Sequence, residues 1–250
     1  MSTDRWPEGY DRRILQSVDS TNSAAERVFD TLAGPTWILA LEQTAARGRR
    51  GREWVNPVGN FAGTLVVPGI ANGPQAAQHS FIAAIALYDA IVAVSGRADA
   101  LSLKWPNDVL LHGQKVAGIL LETILRANQI AGVMVGIGIN LKSAPSQTQI
   151  EPRAVAPTSL TTLGITQSPE AFLPLLADAY ARYHSQHTAY GFPPIRDAWL
   201  ARAARLGEVL TARMPAEEIT GTFETIDADG NLELRTAKGL RRITAADIYF

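Results

Sequence analysis

Residues Leu101 to Ile139 read LSLKWPNDVLLHGQKVAGILLETILRANQIAGVMVGIGI, and this stretch decides the fold. Leu101 to Trp105, Val109 to Leu111, Lys115 to Thr123 and Gln129 to Ile139 are strand-like runs. They are separated only by Pro106-Asn107-Asp108, His112-Gly113 and Ala127-Asn128, which are turn residues. A parallel sheet needs a crossover of a dozen residues or more between neighbouring strands, and no helix fits between Leu101 and Ile139. Consecutive strands joined by turns therefore predict a mixed or antiparallel sheet. Gly136-Ile137-Gly138-Ile139-Asn140 superficially matches a dinucleotide fingerprint, but it lacks the third glycine and the following helix.

Upstream, Arg13 to Val18 reads as a strand ending in Asp19-Ser20-Thr21-Asn22, four residues that favour helix N-caps. A helix follows through Ala24, Ala25, Val28, Phe29 and Leu32 and stops at Gly34-Pro35. By spacing alone, Ser20, Thr21 and Asn22 are capping residues. Trp37 to Leu41 and Phe61 to Val67 are strands, and Gln75 to Ser95 is a long helix. Its apolar face carries Phe81, Ile82, Ile85, Leu87, Tyr88, Ile91, Val92 and Val94, so it belongs to the core. The two early helices are expected on one face of the sheet.

Downstream, Ser143 to Pro157 is a proline-bearing connector, and helices are expected over Pro169 to Gln186 and Ile195 to Arg205. After Gly207 the texture changes to short β segments: Val209 to Arg213, Thr220 to Ile226, Leu232 to Arg235 and Leu240 to Ile243. Roughly forty residues make a poor independent core, so this module should lean on the main domain. The expected organisation is α+β: a main domain over residues 1–205 and a small β domain over 206–250.

The chain has 250 residues, enough for a sizeable core. Its 23 Lys and Arg against 24 Asp and Glu leave it near neutral, unlike a general nucleic-acid binder. With no cysteine, disulfides, thiolate nucleophiles and zinc–thiolate sites are excluded. No signal-peptide pattern or stretch long enough to span a bilayer is read from the sequence, so the expectation is a soluble cytoplasmic protein with no membrane partner. No resident metal site is expected either. Asp227-Ala228-Asp229-Gly230 lacks the ligand set of a calcium loop and reads as a hairpin turn. His184 and His187 lack a third ligand nearby.

One local charge anomaly stands out. Gln43 to Trp54 places Arg47, Arg49, Arg50 and Arg52 within six residues, broken by Gly48 and Gly51. Such a segment repels itself, and its glycines weaken any helix, so it should be a mobile loop in the free protein. Around an anion it becomes a glove. Backbone N–H groups can approach closely, and guanidinium forks match carboxylate or phosphate oxygens. The plainer readings are a solvated loop or a weak nucleic-acid patch.

Four other blocks accompany the loop: Ser20-Thr21-Asn22, Lys104-Trp105-Pro106-Asn107-Asp108, Lys115-Val116-Ala117-Gly118-Ile119-Leu120 and Gly138-Ile139-Asn140. In this order and spacing the set closely resembles biotin protein ligase, in the short form without an N-terminal DNA-binding domain. The match runs from about Val18 to Leu141, and the C-terminal β module resembles that family's SH3-like domain. Ala46 departs from the glycine common at the loop's entrance, and its Cβ is expected to alter biotin or adenylate retention before chemistry.

The resemblance implies a two-step ligase. ATP and biotin give biotinyl-5′-AMP and pyrophosphate, and biotin then passes to a lysine of the biotin carboxyl-carrier domain of a biotin-dependent carboxylase such as acetyl-CoA carboxylase. Like charges oppose the first step by about 4 kcal/mol per unit pair at 4 Å in partly screened surroundings. The four arginines and Lys115 offset this repulsion, with Mg2+ carried on the nucleotide and Asp108 an indirect contributor.

By the same resemblance, Ser20, Thr21, Asn22 and Gln43 hold biotin's ureido ring. Arg47, Gly48 and Arg49 close over its carboxylate, and Gly118 and Gly138 leave room against the sheet. Arg50, Arg52, Trp54, Lys104, Asn107 and Asn140 take the nucleotide, while Lys115, Arg49, Arg52 and Asp108 are the catalytic set. Either a monomer or a homodimer is implied. Because the first strand begins near Arg13, no helix-turn-helix domain and no operator binding are expected. Lipoate or octanoate transfer on the same scaffold is the competing enzyme reading. A nucleic-acid module using Arg47 to Arg52 is the competing binding reading, and it gives Lys115 no role.

Overall fold

The structure is a computed structural model that describes residues 6–70, 72–149 and 154–250. Part of the expected connector, 150–153, lies outside the described residues. In chain order come β1 (Asp11–Val18), α1 (Thr21–Val28), β2 (Thr36–Gln43), β3 (Phe61–Pro68), α2 (Gly73–Ser95), β4 (Leu101–Lys104), β5 (Asp108–Leu111), β6 (Gln114–Arg126) and β7 (Gln129–Ile139). Two helices follow, α3 (Pro169–Tyr190) and α4 (Pro193–Leu200). The chain closes with β8 (Val209–Arg213), β9 (Glu218–Ile226), β10 (Leu232–Thr236), β11 (Gly239–Ile243) and β12 (Asp247–Tyr249).

The first seven strands form one sheet in the order β1-β2-β3-β7-β6-β5-β4. Only β1 and β2 pair in parallel, with α1 as their crossover, and every other pair in the sheet is antiparallel. The two decisive turns explain why. His112 and Gly113 have φ of 49° and 76°, and Ala127 and Asn128 have 49° and 61°. Two successive left-handed residues give a tight turn whose twist matches the flanking antiparallel strands.

The helices do not all share one face. α2 packs with α3 and α4 over Trp37, Leu39, Leu65, Val133 and Val135, whereas α1 packs over Ile38, Val66 and Met134. Side chains alternate along a strand, so the neighbours Trp37 and Ile38 point to opposite faces. The expectation that the two early helices share one face is corrected: α2 lies with α3 and α4 on one face, and α1 lies on the other. A second correction concerns α2, which is apolar and long enough to cross a membrane by length and composition alone. Most of it is buried here, between the sheet on one side and α3 with α4 on the other, which removes the need for a polar face.

β8 to β12 form a separate antiparallel sheet in the order β11-β10-β9-β8-β12. Its apolar residues Leu210, Phe223 and Leu232 are continuous with the main core. Trp105 donates its indole N–H to the Gly230 carbonyl at 3.0 Å, fastening the small sheet beside β4. Asp227 accepts backbone N–H groups from Asp229 and Asn231, both at 2.9 Å, so the apparent calcium loop is a hairpin turn.

Candidate functional site

A cleft of about 550 Å³ opens on the sheet face that carries α1, between the arginine loop, β6, β7 and the connector before α3. At its deep end the N-terminus of α1 meets β2 and β3. Ser20 occupies the N-cap position, but its side chain makes no capping hydrogen bond, and Ser20, Thr21 and Asn22 are all buried. The capping reading is therefore replaced. Gln43 Oε1 accepts from Thr21 N–H at 2.8 Å and from the Thr21 hydroxyl at 3.1 Å. The Thr64 hydroxyl lies 2.8 Å from Thr21 Oγ1 and 2.5 Å from Asn22 Oδ1, sharing one proton between them. Asn22 donates to Glu122 at 2.6 Å, and Glu122 also receives Arg47 at 3.2 Å.

Glycines shape the floor. A Cβ on Gly136 would lie 2.5 Å from Asn22 Oδ1, and one on Gly138 would lie 2.5 Å from the Trp54 indole. Gly118 faces the same ring at 3.2 Å. The room that Gly118 and Gly138 leave is thus taken up by the Trp54 ring, which lies against both glycines. Lys115 sits at 5.4 Å over that ring and pairs with Asp108 at 2.6 Å. Its neighbouring backbone is pinned as well, since Lys115 N–H donates to the Ala156 carbonyl at 2.8 Å.

The loop has a defined conformation in the structure. It is folded back on itself by Gly48 N–H to Arg52 O at 2.7 Å and a bridge between Arg47 and Glu53, with a helical turn at Arg49–Gly51. Its charges are offset rather than left to repel. Arg47 reaches Glu122 and Ser23, Arg49 donates to Asn107 at 3.3 Å, and Arg50 and Arg52 both meet Asp247 of β12. Burial lowers the Arg49 pKa, against the pull of Asp108 and Asp247. Burial alone would raise the Asp247 pKa. Its hydrogen bond to Arg52, with the charges of Arg52, Arg50 and Arg49, prevails and holds it below the usual carboxylate range.

Most of the expected residues line the one cleft, but Lys104 and Arg50 do not. Lys104 is buried, with its ammonium 5.3 Å from the Phe250 ring, and that burial lowers its pKa. Asn107 uses its amide N–H to hold the Ile119 carbonyl at 2.5 Å, which fixes the acceptor that Arg49 takes. Asn140 donates to the Thr158 carbonyl at 2.9 Å, leaving Oδ1 a buried acceptor with no partner among the described residues. Sequence reasoning missed Thr64, Glu122 and Asp247, which complete the network and the loop. Glu122 was in view, two residues past Leu120 in the Lys115 block, but nothing local marked its side chain as facing the cleft.

Residues 14–140 match the model of the biotin/lipoate A/B protein ligase family, and residues 206–250 match the biotin protein ligase C-terminal domain. The biotin–[acetyl-CoA-carboxylase] ligase of Paracoccus denitrificans is 52% identical over 238 residues, covering 95% of this chain and 99% of that protein. In fold, the chain is similar to a biotin protein ligase from Aquifex aeolicus in complex with biotin and ATP. The TM-score is 0.79 at 22% identity, over 95% of this chain and 97% of the other. It is also similar to a Leishmania major biotin protein ligase in complex with biotinyl-5-AMP, with TM-score 0.69, 23% identity and coverage of 96% and 100%.

Proposed function

The chain belongs to the biotin/lipoate A/B protein ligase family as a biotin protein ligase, and on that footing we propose how this cleft performs the two half-reactions. The carrying observation is the Lys115–Asp108 pair, held at 2.6 Å in a cleft also lined by Arg47, Arg49 and Arg52. Biotin lies with its ureido ring against Ser20, Thr21, Asn22 and Gln43. Gln43 Oε1 is already committed to Thr21, so its amide nitrogen serves the ureido oxygen. The carboxylate then points toward Lys115 and the loop.

In the first step a biotin carboxylate oxygen attacks the α-phosphorus of ATP. An O–P bond forms, the α–β anhydride breaks, and pyrophosphate leaves with the electron pair. Lys115 lies where negative charge gathers on the carboxylate and α-phosphoryl oxygens, with Asp108 fixing its ammonium. Arg47, Gly48 and Arg49 cover the carboxylate, and Arg49 and Arg52 face the phosphates with Arg50 behind them. Trp54 packs by the adenine, and the unpartnered Asn140 Oδ1 accepts from the adenine exocyclic amine.

Magnesium enters with the triphosphate. Among the described residues no cluster of three or more His, Asp or Glu is suited to hold a resident ion. Lys104 and Asn107 contribute through the protein, Lys104 as buried positive charge and Asn107 by holding Arg49.

In the second step the neutral amine of a carrier lysine attacks the acyl carbon. The C–O bond to AMP breaks, AMP leaves with the electron pair, and the nitrogen releases one proton to solvent as the amide forms. The loop shields the acyl-adenylate from water until the carrier arrives. The carrier is the biotin carboxyl-carrier domain of a carboxylase, in the cytoplasm. Residues 1–205 perform the chemistry, and 206–250 form the attached small domain.

The experiment is ATP–pyrophosphate exchange with biotin or lipoate as the acid, followed by labelling of an acceptor peptide. Biotin-dependent exchange and labelling are expected. Exchange with lipoate alone, or none with either acid, overturns the reading.

A further inference from the structure

Asp247 is the only described residue of the small β domain that lines the cleft. It lies on β12, paired to β8 through Arg213, and its side chain is 19% exposed. One of its oxygens, Oδ2, takes Arg50 Nη1 at 2.6 Å and Arg52 Nη2 at 3.0 Å. The loop is bent to make this convergence. Arg50 has φ of 58° and Gly51 has 72°, so two successive residues in the left-handed region reverse the chain between the two arginines. Arg50 is a non-glycine residue in that region, a conformation held by its surroundings. The ion pairs join residues 195 and 197 positions apart and are the loop's ionic link to the small domain among the described residues.

We propose that Asp247 is a positioning residue through which the small β domain braces Arg50 and seats Arg52 over the nucleotide end of the cleft. This rests on the ligase reading above. The carboxylate does not touch the reacting atoms. It orders two long side chains before the triphosphate arrives, so that their rotamer freedom is not lost on binding. Arg52 lines the cleft and stays in reach of a phosphate while held from behind, whereas Arg50 lies outside the lining and braces the turn. The consequence is a division of labour within the loop: the small domain acts on its nucleotide end through Arg50 and Arg52, whereas the ureido end of biotin is held by α1, β2 and β3 and its carboxylate by Arg47 to Arg49, which Asp247 does not touch.

The test uses the full chain with Asp247→Asn, Asp247→Glu and, as a control within the small domain, Glu224→Gln. Glu224 pairs with Arg235, away from the cleft. In biotin-dependent ATP–pyrophosphate exchange, Asp247→Asn is expected to raise the KM for ATP about 3- to 10-fold, the scale of a few charge-assisted bonds. The KM for biotin should move less than about 2-fold, and kcat much less than the KM for ATP. Asp247→Glu should recover most of the loss, and Glu224→Gln should match wild type.

Trypsin supplies a second readout without substrate. Cleavage after Arg50 and Arg52 in the unliganded protein should be several-fold faster in Asp247→Asn than in wild type or Glu224→Gln. An unchanged or lowered KM for ATP overturns the proposal, the latter showing a carboxylate that competes with phosphate. An unchanged cleavage rate overturns it equally. Wild-type protein without biotin-dependent exchange would instead sink the ligase reading itself.

Discussion

The two ends of the cleft are built by different physics. The deep end is a network among buried or half-buried side chains: Thr21, Asn22, Gln43 and Thr64, closed by Glu122. These groups are rooted in a helix and three strands and bond to one another. The mouth is a loop held by ion pairs whose arginines are about 40% exposed. A buried polar network is costly to break, because each group loses a partner it cannot regain from water. An exposed pair is worth about 0 to 1 kcal/mol and is screened by salt. The deep end is therefore a preformed template and the mouth a fastening that can be undone, matching a reaction that must admit a nucleotide and later a protein lysine.

The largest expected effect lies where the two ends meet. Lys115→Ala should lower kcat for biotin-dependent exchange by about 100- to 1000-fold, the scale of removing one preorganised electrostatic stabiliser. Biotin binding measured by calorimetry should fall far less. Wild-type exchange by that variant would mean the ammonium at the junction has no chemical role.

Next, an added methyl group separates the regions. Gly136→Ala forces a Cβ to within 2.5 Å of Asn22 Oδ1, which Thr64 and Glu122 hold in place, and should destabilise the fold by about 1–3 kcal/mol in urea denaturation. Gly48→Ala in the loop meets only Arg52 O at an ordinary 3.7 Å with φ of −108°, so its effect on stability should stay below about 0.5 kcal/mol. Equal losses from the two substitutions would erase the distinction between template and fastening.

Acid separates the core behind the template from the fastening. His79 is buried against Tyr180, and burial, followed by the charges of His184 and His187, lowers its pKa to about 3; burial also lowers His184 and His187. The unfolded state takes up these protons near pH 6.5 while the folded state resists. Stability should thus be full above that pH and fall below it by up to about 1.4 kcal/mol per pH unit per histidine. Asp247, with its depressed pKa, keeps its charge until the pH falls through the lower carboxylate range. Denaturation midpoints from pH 7.5 to 4.5 should decline accordingly, and His79→Gln should flatten the decline. A slope unaltered by that substitution would place the acid sensitivity elsewhere.

The smallest effect is that of salt. Raising NaCl from 0.1 to 0.5 M shortens the screening length to well below 10 Å and should raise the KM for ATP about 2- to 5-fold, with less change for biotin. Equal sensitivity of the two substrates would make the ends electrostatically alike.

Sequence alone determined the features encoded over short distances. The antiparallel run of β4 to β7 was legible because turns of two or three residues admit no crossover helix, and α2 because its apolar residues recur at helical spacing. The site blocks were legible as an ordered set, which is why the ligase family could be named from residues 18–141. Tertiary structure decided what side chains 100 or more positions apart do to one another. Asn22 meets Glu122 across 100 residues and Arg50 meets Asp247 across 197, and no local period predicts either. It turned Ser20 to Asn22 from caps into cleft lining, moved α1 to the opposite face from α2, placed Trp54 over Gly118 and Gly138, and folded down a loop that reads as free. The reason is that backbone preference is set by near neighbours, whereas the partner of a buried or charged side chain is set by whichever surface the completed fold brings against it.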